Sequence, residues 1–91
     1  MTRIFLSHRV ADYAHWRAIF DADAPRRTAA GVIDVAVLRS SADPNHLLVE
    51  QHHAADEVSV RAMLDGMFAD PAVGEAMKAA GVIGPAQVWI G

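Results

Sequence analysis

The sequence predicts an α+β domain: a four-stranded antiparallel sheet with its helices on one face and elements in the order β-α-β-β-α-β. Three observations predict it. Short apolar and β-branched runs alternate with stretches of helical period. Aspartates stand where the helical stretches begin and glycines where they end. These entry and exit signals recur in both halves of the chain.

Residues 3–10 (RIFLSHRV) are apolar-rich and bounded, and read as the first strand. Asp12 is placed as an N-cap ahead of Tyr13, Trp16, Ile19 and Phe20, which recur at helical spacing. That helix is predicted to run to about residue 30, where Gly31 can take the left-handed conformation that ends it. Pro25 lies inside the span and is expected to kink or restart it near Ala24. Residues 32–39 (VIDVAVLR) are β-branched and read as the second strand. The cluster Ser40-Ser41-Ala42-Asp43-Pro44-Asn45 makes a turn into a third strand at 46–54. Asp56 caps the next helix, whose inward stripe is Val60, Met63, Leu64, Met67 and Phe68. Asp70-Pro71 reads as an N-cap with proline at the first helical position, opening a short helix that stops at Gly81. Residues 85–90 (PAQVWI) close the chain as the fourth strand.

The halves repeat. His8-Arg9-Val10-Ala11-Asp12 matches His52-His53-Ala54-Ala55-Asp56 at an offset of 44, a strand running into a capped helix. Ala29-Ala30-Gly31-Val32-Ile33 matches Ala79-Ala80-Gly81-Val82-Ile83 at an offset of 50, a helix ending at glycine and entering a strand. Two βαβ halves of this kind build a ferredoxin-like domain with sheet order 4-1-3-2. One face of such a sheet is left bare, and a bare face with large apolar residues is an association surface, so a homodimer through it is expected.

Composition supports this reading. The chain has 91 residues, one domain's worth, and 53% of them are apolar. Eighteen are alanines, which leaves a modest stock of large side chains for a core. Chains this short often lean on disulfides, metal or a partner. With no cysteine, disulfides, thiolate nucleophiles and cysteine metal sites are excluded. A net charge of −3 and scattered basic residues argue against nucleic acid as a partner. No stretch is apolar enough for a signal peptide or a membrane span, and the expected location is cytoplasmic.

Strand alternation divides the central strands into two sets. One is Ile4, Leu6, His8 and Val10 with His46, Leu48, Glu50 and His52; the other is Arg3, Phe5, Ser7 and Arg9 with Leu47, Val49, Gln51 and His53. A carboxylate sealed beneath helices is costly, so the set holding Glu50 and His8 is expected to face a cavity between subunits. Phe5, Leu47 and Val49 are then expected under the helices. On the last strand Ala86, Val88 and Ile90 make the apolar face and leave Gln87 and Trp89 for the cavity. A bulge near Gly84-Pro85 would shift such registers.

Five histidines carry most of the available chemistry. His8 is the candidate catalytic base, and His46, Glu50, His52 and Trp89 are candidate ligand-binding residues. The end of strand 1 lies beside the start of strand 3, so His8 and His46 could meet there as an acid/base pair tuned by Glu50, or hold a metal together with Glu50. His52 and His53 point to opposite faces, and His8 and His52 lie at opposite ends of the strand pair. His15 is expected on the helix surface, and Tyr13, Trp16 and Phe20 in the core. No metal-binding spacing, dinucleotide fingerprint, phosphate loop or nucleophile elbow is present, and no metal or cofactor is expected.

The segments VADYAHW at 10–16, RxxAG at 27–31, DPN at 43–45 and DPAVGEAMKAAGVIG at 70–84 resemble small bacterial dimeric α+β-barrel proteins related to the antibiotic biosynthesis monooxygenases, some of which are described as cyclases. The resemblance spans nearly the whole chain. It implies a ferredoxin-like fold, a dimer whose two sheets form a barrel, and a pocket for a small apolar or aromatic ligand. No catalytic set of the wider superfamily maps onto this chain residue by residue. Two functional expectations follow. One is a cofactor-independent monooxygenase or cyclase acting on polyketide-like substrates; the other is a non-catalytic dimer that binds a small ligand or a partner.

Overall fold

A computed structural model describes residues 1–91. Strand β1 (Thr2–Val10) leads into helix α1 (Tyr13–Ala22) and the short α2 (Ala24–Ala29). Strands β2 (Val32–Arg39) and β3 (His46–His53) follow, then α3 (Glu57–Ala69), α4 (Pro71–Ala79) and β4 (Val82–Ile90). The strands form one antiparallel sheet in the order β2-β3-β1-β4, the arrangement the repeat predicts.

The caps act as the sequence indicates. Asp12 accepts from the Ala14 N–H at 3.1 Å, Asp56 from Ser59 N–H at 2.8 Å and Asp70 from Ala72 N–H at 2.9 Å. Pro25 opens α2 after Asp23, so the first helical stretch breaks and restarts where proline removes a donor. Gly31 and Gly81 take φ of +97° and +82°, a region closed to most side chains. The repeated segments meet across the halves: Ala11 N–H donates to the Gly81 carbonyl at 2.8 Å, and Ala54 N–H to the Gly31 carbonyl at 3.0 Å. The first and last strands are also tied at the two chain termini, with Arg3 and Gly91 exchanging both backbone hydrogen bonds at 3.0 Å.

Strand β4 begins at Val82, three residues ahead of the predicted start, because a bulge absorbs the irregular sequence. Ser7 pairs with Gln87 and Arg9 with Ile83, so extra residues around Gly84-Pro85 loop out of the ladder.

The β1/β3 register corrects the predicted faces. Thr2 stands opposite His53, Leu6 opposite Val49 and His8 opposite Leu47. Directly opposed residues share a face, so even positions of β1 lie with odd positions of β3. Ile4, Leu6, His8 and Val10 therefore sit under the helices with Leu47, Val49, Gln51 and His53. Arg3, Phe5, Ser7 and Arg9 occupy the bare face with His46, Leu48, Glu50 and His52. The cost of burying Glu50 correctly placed the β3 faces. The error was in joining them to β1, where Phe5 and Ile4 are both apolar and alternation offers no preference.

The core lies on the helix side in two clusters. Val10, Trp16, Leu47, Val49 and Ala80 form one; Ile4, Val60 and Leu64 form the other. Leu6 packs against both. No helix is long and apolar enough to cross a membrane.

Candidate ligand cavity

Between the two clusters the helices do not close on the sheet, and a cavity of about 720 Å³ remains. Leu6, His8, Val49, Gln51, Val82 and Ala86 form its floor. Helix α1 contributes Trp16, Ile19 and Phe20; the end of α3 contributes Met67 and Phe68; and α4 supplies Ala72, Val73, Ala76 and Met77, with Ala80 at its C-cap. Alanines along α4 leave room that larger residues would fill. Asp23, Arg26 and Arg27 come from the α1/α2 junction, and Asp70 stands between α3 and α4.

His8 is the titratable group of the floor. It is 8% exposed, and neither Nδ1 nor Nε2 has a hydrogen-bond partner. Burial lowers its pKa, and the nearby His46 lowers it further, so the ring is neutral at pH 7 with one nitrogen lone pair free. Buried polar nitrogens without partners are uncommon in folded proteins, and each calls for a physical reason.

An aromatic series runs from His8 along one wall. The His8 and Trp16 rings are 5.6 Å apart, and Trp16 stacks on Phe20 at 4.7 Å with planes inclined by 21°. The Arg27 guanidinium then lies 3.7 Å from the Phe20 ring centre. Trp16 and Phe20 are thus core, as expected, and cavity wall as well.

The other candidate residues are elsewhere. His46 Nε2 is 3.2 Å from Ser7 Oγ on the bare face, and His52 Nε2 donates to Glu50 Oε2 at 2.7 Å on that same face. Trp89 is 52% exposed there, opposite Phe5. The structure therefore brings Glu50 and His52 together but separates His8 from His46, Glu50, His52 and Trp89 by the thickness of the sheet. The expected His8/His46 pair does not form, since His8 faces Leu47 across the ladder while His46 faces Arg9. His15, expected to be idle on the surface, donates to the Ala79 carbonyl at 2.9 Å and ties α1 to the end of α4.

Sequence reasoning overlooked Gln51 and Arg27. Gln51 follows Leu47 and Val49 on the alternation of β3, which was signal enough. Arg27 lies seven residues beyond Phe20, two helical turns on, but the break at Pro25 concealed that relation.

No protein-family profile and no curated protein matches the chain. Solved structures do match its fold. An antibiotic biosynthesis monooxygenase superposes over 100% of this chain and 96% of its own, with a TM-score of 0.65 and 14% identity. A variant of SnoaB, a cofactor-independent oxygenase from Streptomyces nogalater, covers 99% of this chain and 89% of its own at a TM-score of 0.67 and 16% identity. A candidate antibiotic biosynthesis monooxygenase of Bordetella bronchiseptica covers 99% of this chain and 93% of its own, with a TM-score of 0.66 and 22% identity. The relation is one of fold, the same group that the sequence segments resemble.

Proposed function

We propose that this chain, on the fold it shares with antibiotic biosynthesis monooxygenases, binds a small, largely apolar aromatic molecule in the helix-side cavity, with His8 taking an acidic proton from it. The observation that carries this reading is His8 itself, a neutral imidazole with no partner at either nitrogen in the wall of an apolar cavity. A base must be unprotonated at working pH and within reach of the bound molecule, and the lowered pKa of His8 meets the first condition. Fold alone does not fix chemistry; the residues of the site do.

The reaction that suits this site is oxygenation without a cofactor, the activity named for the Streptomyces nogalater protein. His8 removes a proton from a carbon whose carbanion is delocalised into aromatic rings. Dioxygen accepts the electrons and bonds to that carbon as a peroxide, which His8 reprotonates. Loss of the second C–H proton then breaks the O–O bond. One oxygen stays as a ketone, and the other leaves as water with the two hydrogens. A cyclase would share the first proton transfer but consume no oxygen.

In this reading the protein works as a homodimer joined through the bare sheet face. Leu38 (64% exposed) and Trp89 (52%) both lie on that face, and an apolar surface of this kind favours a second copy. His46, Glu50, His52 and Trp89 then belong to the contact between subunits, where Trp89 or Glu50 can also border a ligand.

The test is oxygen uptake with an anthrone-type substrate, corrected for spontaneous oxidation. His8→Ala should abolish enzymatic turnover and leave the circular dichroism spectrum unchanged; an undiminished rate would remove His8 from the reaction. A second reading, a binding protein without turnover, is favoured by one observation: no carboxylate or carbonyl orients the His8 ring. Saturable binding with no product formed would establish it.

A further inference from the structure

Arg27 is a second polar group in the cavity lining. Its side chain is 10% exposed. Nη1 donates to the Phe20 carbonyl at 2.6 Å, and Cζ lies over the Phe20 ring, 3.7 Å from its centre. Asp23 makes a long ion pair with the guanidinium at 4.0 Å, too far for a hydrogen bond. That carboxylate is already engaged: Arg26 Nε donates to both of its oxygens at 2.9 Å, and Arg26 Nη2 donates to Oδ2. Arg27 is therefore a buried cation with several donors, one of them given to a carbonyl, and no carboxylate bonded to it. A guanidinium does not escape by losing its proton, so the charge persists in the wall. Buried charge without a hydrogen-bonded counterion is costly, and a bound anion relieves that cost.

We propose that Arg27 is the anion-binding residue of the cavity, so that its ligands are aromatic molecules bearing an acidic group, a carboxylate or an ionised phenol or enol, held by the guanidinium. This rests on the helix-side cavity being the ligand site. His8 and Arg27 lie at the two ends of the Trp16–Phe20 stack, which gives the ligand two polar poles and an aromatic wall between them. A flat ring system lies along that wall with its acidic group at Arg27 and the rest of the ring directed toward His8. Arg27 is thus a specificity residue, selecting by charge what the cavity admits by shape.

The experiment compares two probes that differ in charge and little else, 2-naphthoate and 2-naphthamide. Binding is followed through the Trp16 indole N–H resonance of the intact protein. The expected result is about tenfold tighter binding of the carboxylate, the scale of one charge-assisted hydrogen bond. Arg27→Gln should remove that preference while leaving the amide's affinity within about twofold. Arg27→Lys retains the charge and should keep most of the preference, whereas Arg26→Gln frees Asp23 to pair with Arg27 and should reduce it. If wild-type protein binds both probes equally, the Arg27 assignment is overturned and the cavity reading stands. If neither probe shifts the Trp16 resonance, both are overturned. The wild-type comparison decides even where Arg27→Gln does not fold.

Discussion

The imidazole of His8 is tilted at 59° to the Trp16 indole, 5.6 Å away, and this aromatic contact takes the place of any hydrogen bond to the ring. The position is stable for packing and poor for polarity. A buried, unsatisfied polar group costs about 1–3 kcal/mol, and an apolar side chain of similar shape avoids that cost. His8→Leu is therefore expected to raise stability by about 1 kcal/mol, roughly 4–8 °C in Tm for a domain of this size, while ending turnover. Calorimetry on the variant checks it; a fall in Tm of similar size would show that His8 has a partner in solution.

Acid should destabilise the fold in a defined window. Burial depresses the pKa of both His8 and His53 below the ordinary 6.5. The unfolded chain then binds these protons at higher pH than the folded one, so stability is complete above about 6.5 and falls as pH drops below it. Urea denaturation between pH 7.5 and 5 should show this fall, and the double variant His8→Leu/His53→Leu should flatten it.

Helix entry is expected to depend on single carboxylates. Asp56 caps the thirteen-residue α3, which carries Val60 and Leu64 into the core. Asp56→Ala should cost about 1 kcal/mol, and Asp56→Ser much less, since serine can still accept from Ser59 N–H. Chemical denaturation of the pair measures the difference.

Filling the cavity should separate binding from folding. Ala76 on α4 lines the cavity, and Ala76→Phe places a ring in that space. The variant should retain its secondary structure and lose affinity for 2-naphthoate by tenfold or more. Unchanged affinity would place the ligand elsewhere.

The bare face makes its own prediction. Wild-type protein in sedimentation should exceed the 9.8 kDa of one chain, and Leu38→Glu/Trp89→Glu should return it to that mass. Two carboxylates facing their copies across a symmetric contact repel, as well as removing apolar area.

Element order, sheet order, caps and the proline break were legible because each depends on local chemistry: a capping oxygen, a missing N–H, a residue free to take positive φ. The register of β1 against β3 was not. It depends on which of two alternating apolar sets meets the helices, and β1 has Ile4 and Leu6 on one side and Phe5 on the other. That one ambiguity moved His8 from a subunit interface into the cavity within a single chain. The cavity itself was also hidden, since it exists by what α4 lacks. Its alanines read equally well as a close-packed helix.

The exchange of backbone hydrogen bonds between Arg3 and Gly91 brings the first and last strands side by side. A short peptide could therefore join them, and the chain could be reopened within 41–45, in the β2/β3 connection. Such a circular permutant would keep every strand pair of the sheet but invert which are local: β4 and β1 would become a hairpin, while β2 and β3 would be the distant ends. Loop-closure entropy would then favour forming β4/β1 early, so the permutant should reach the same fold at a different rate.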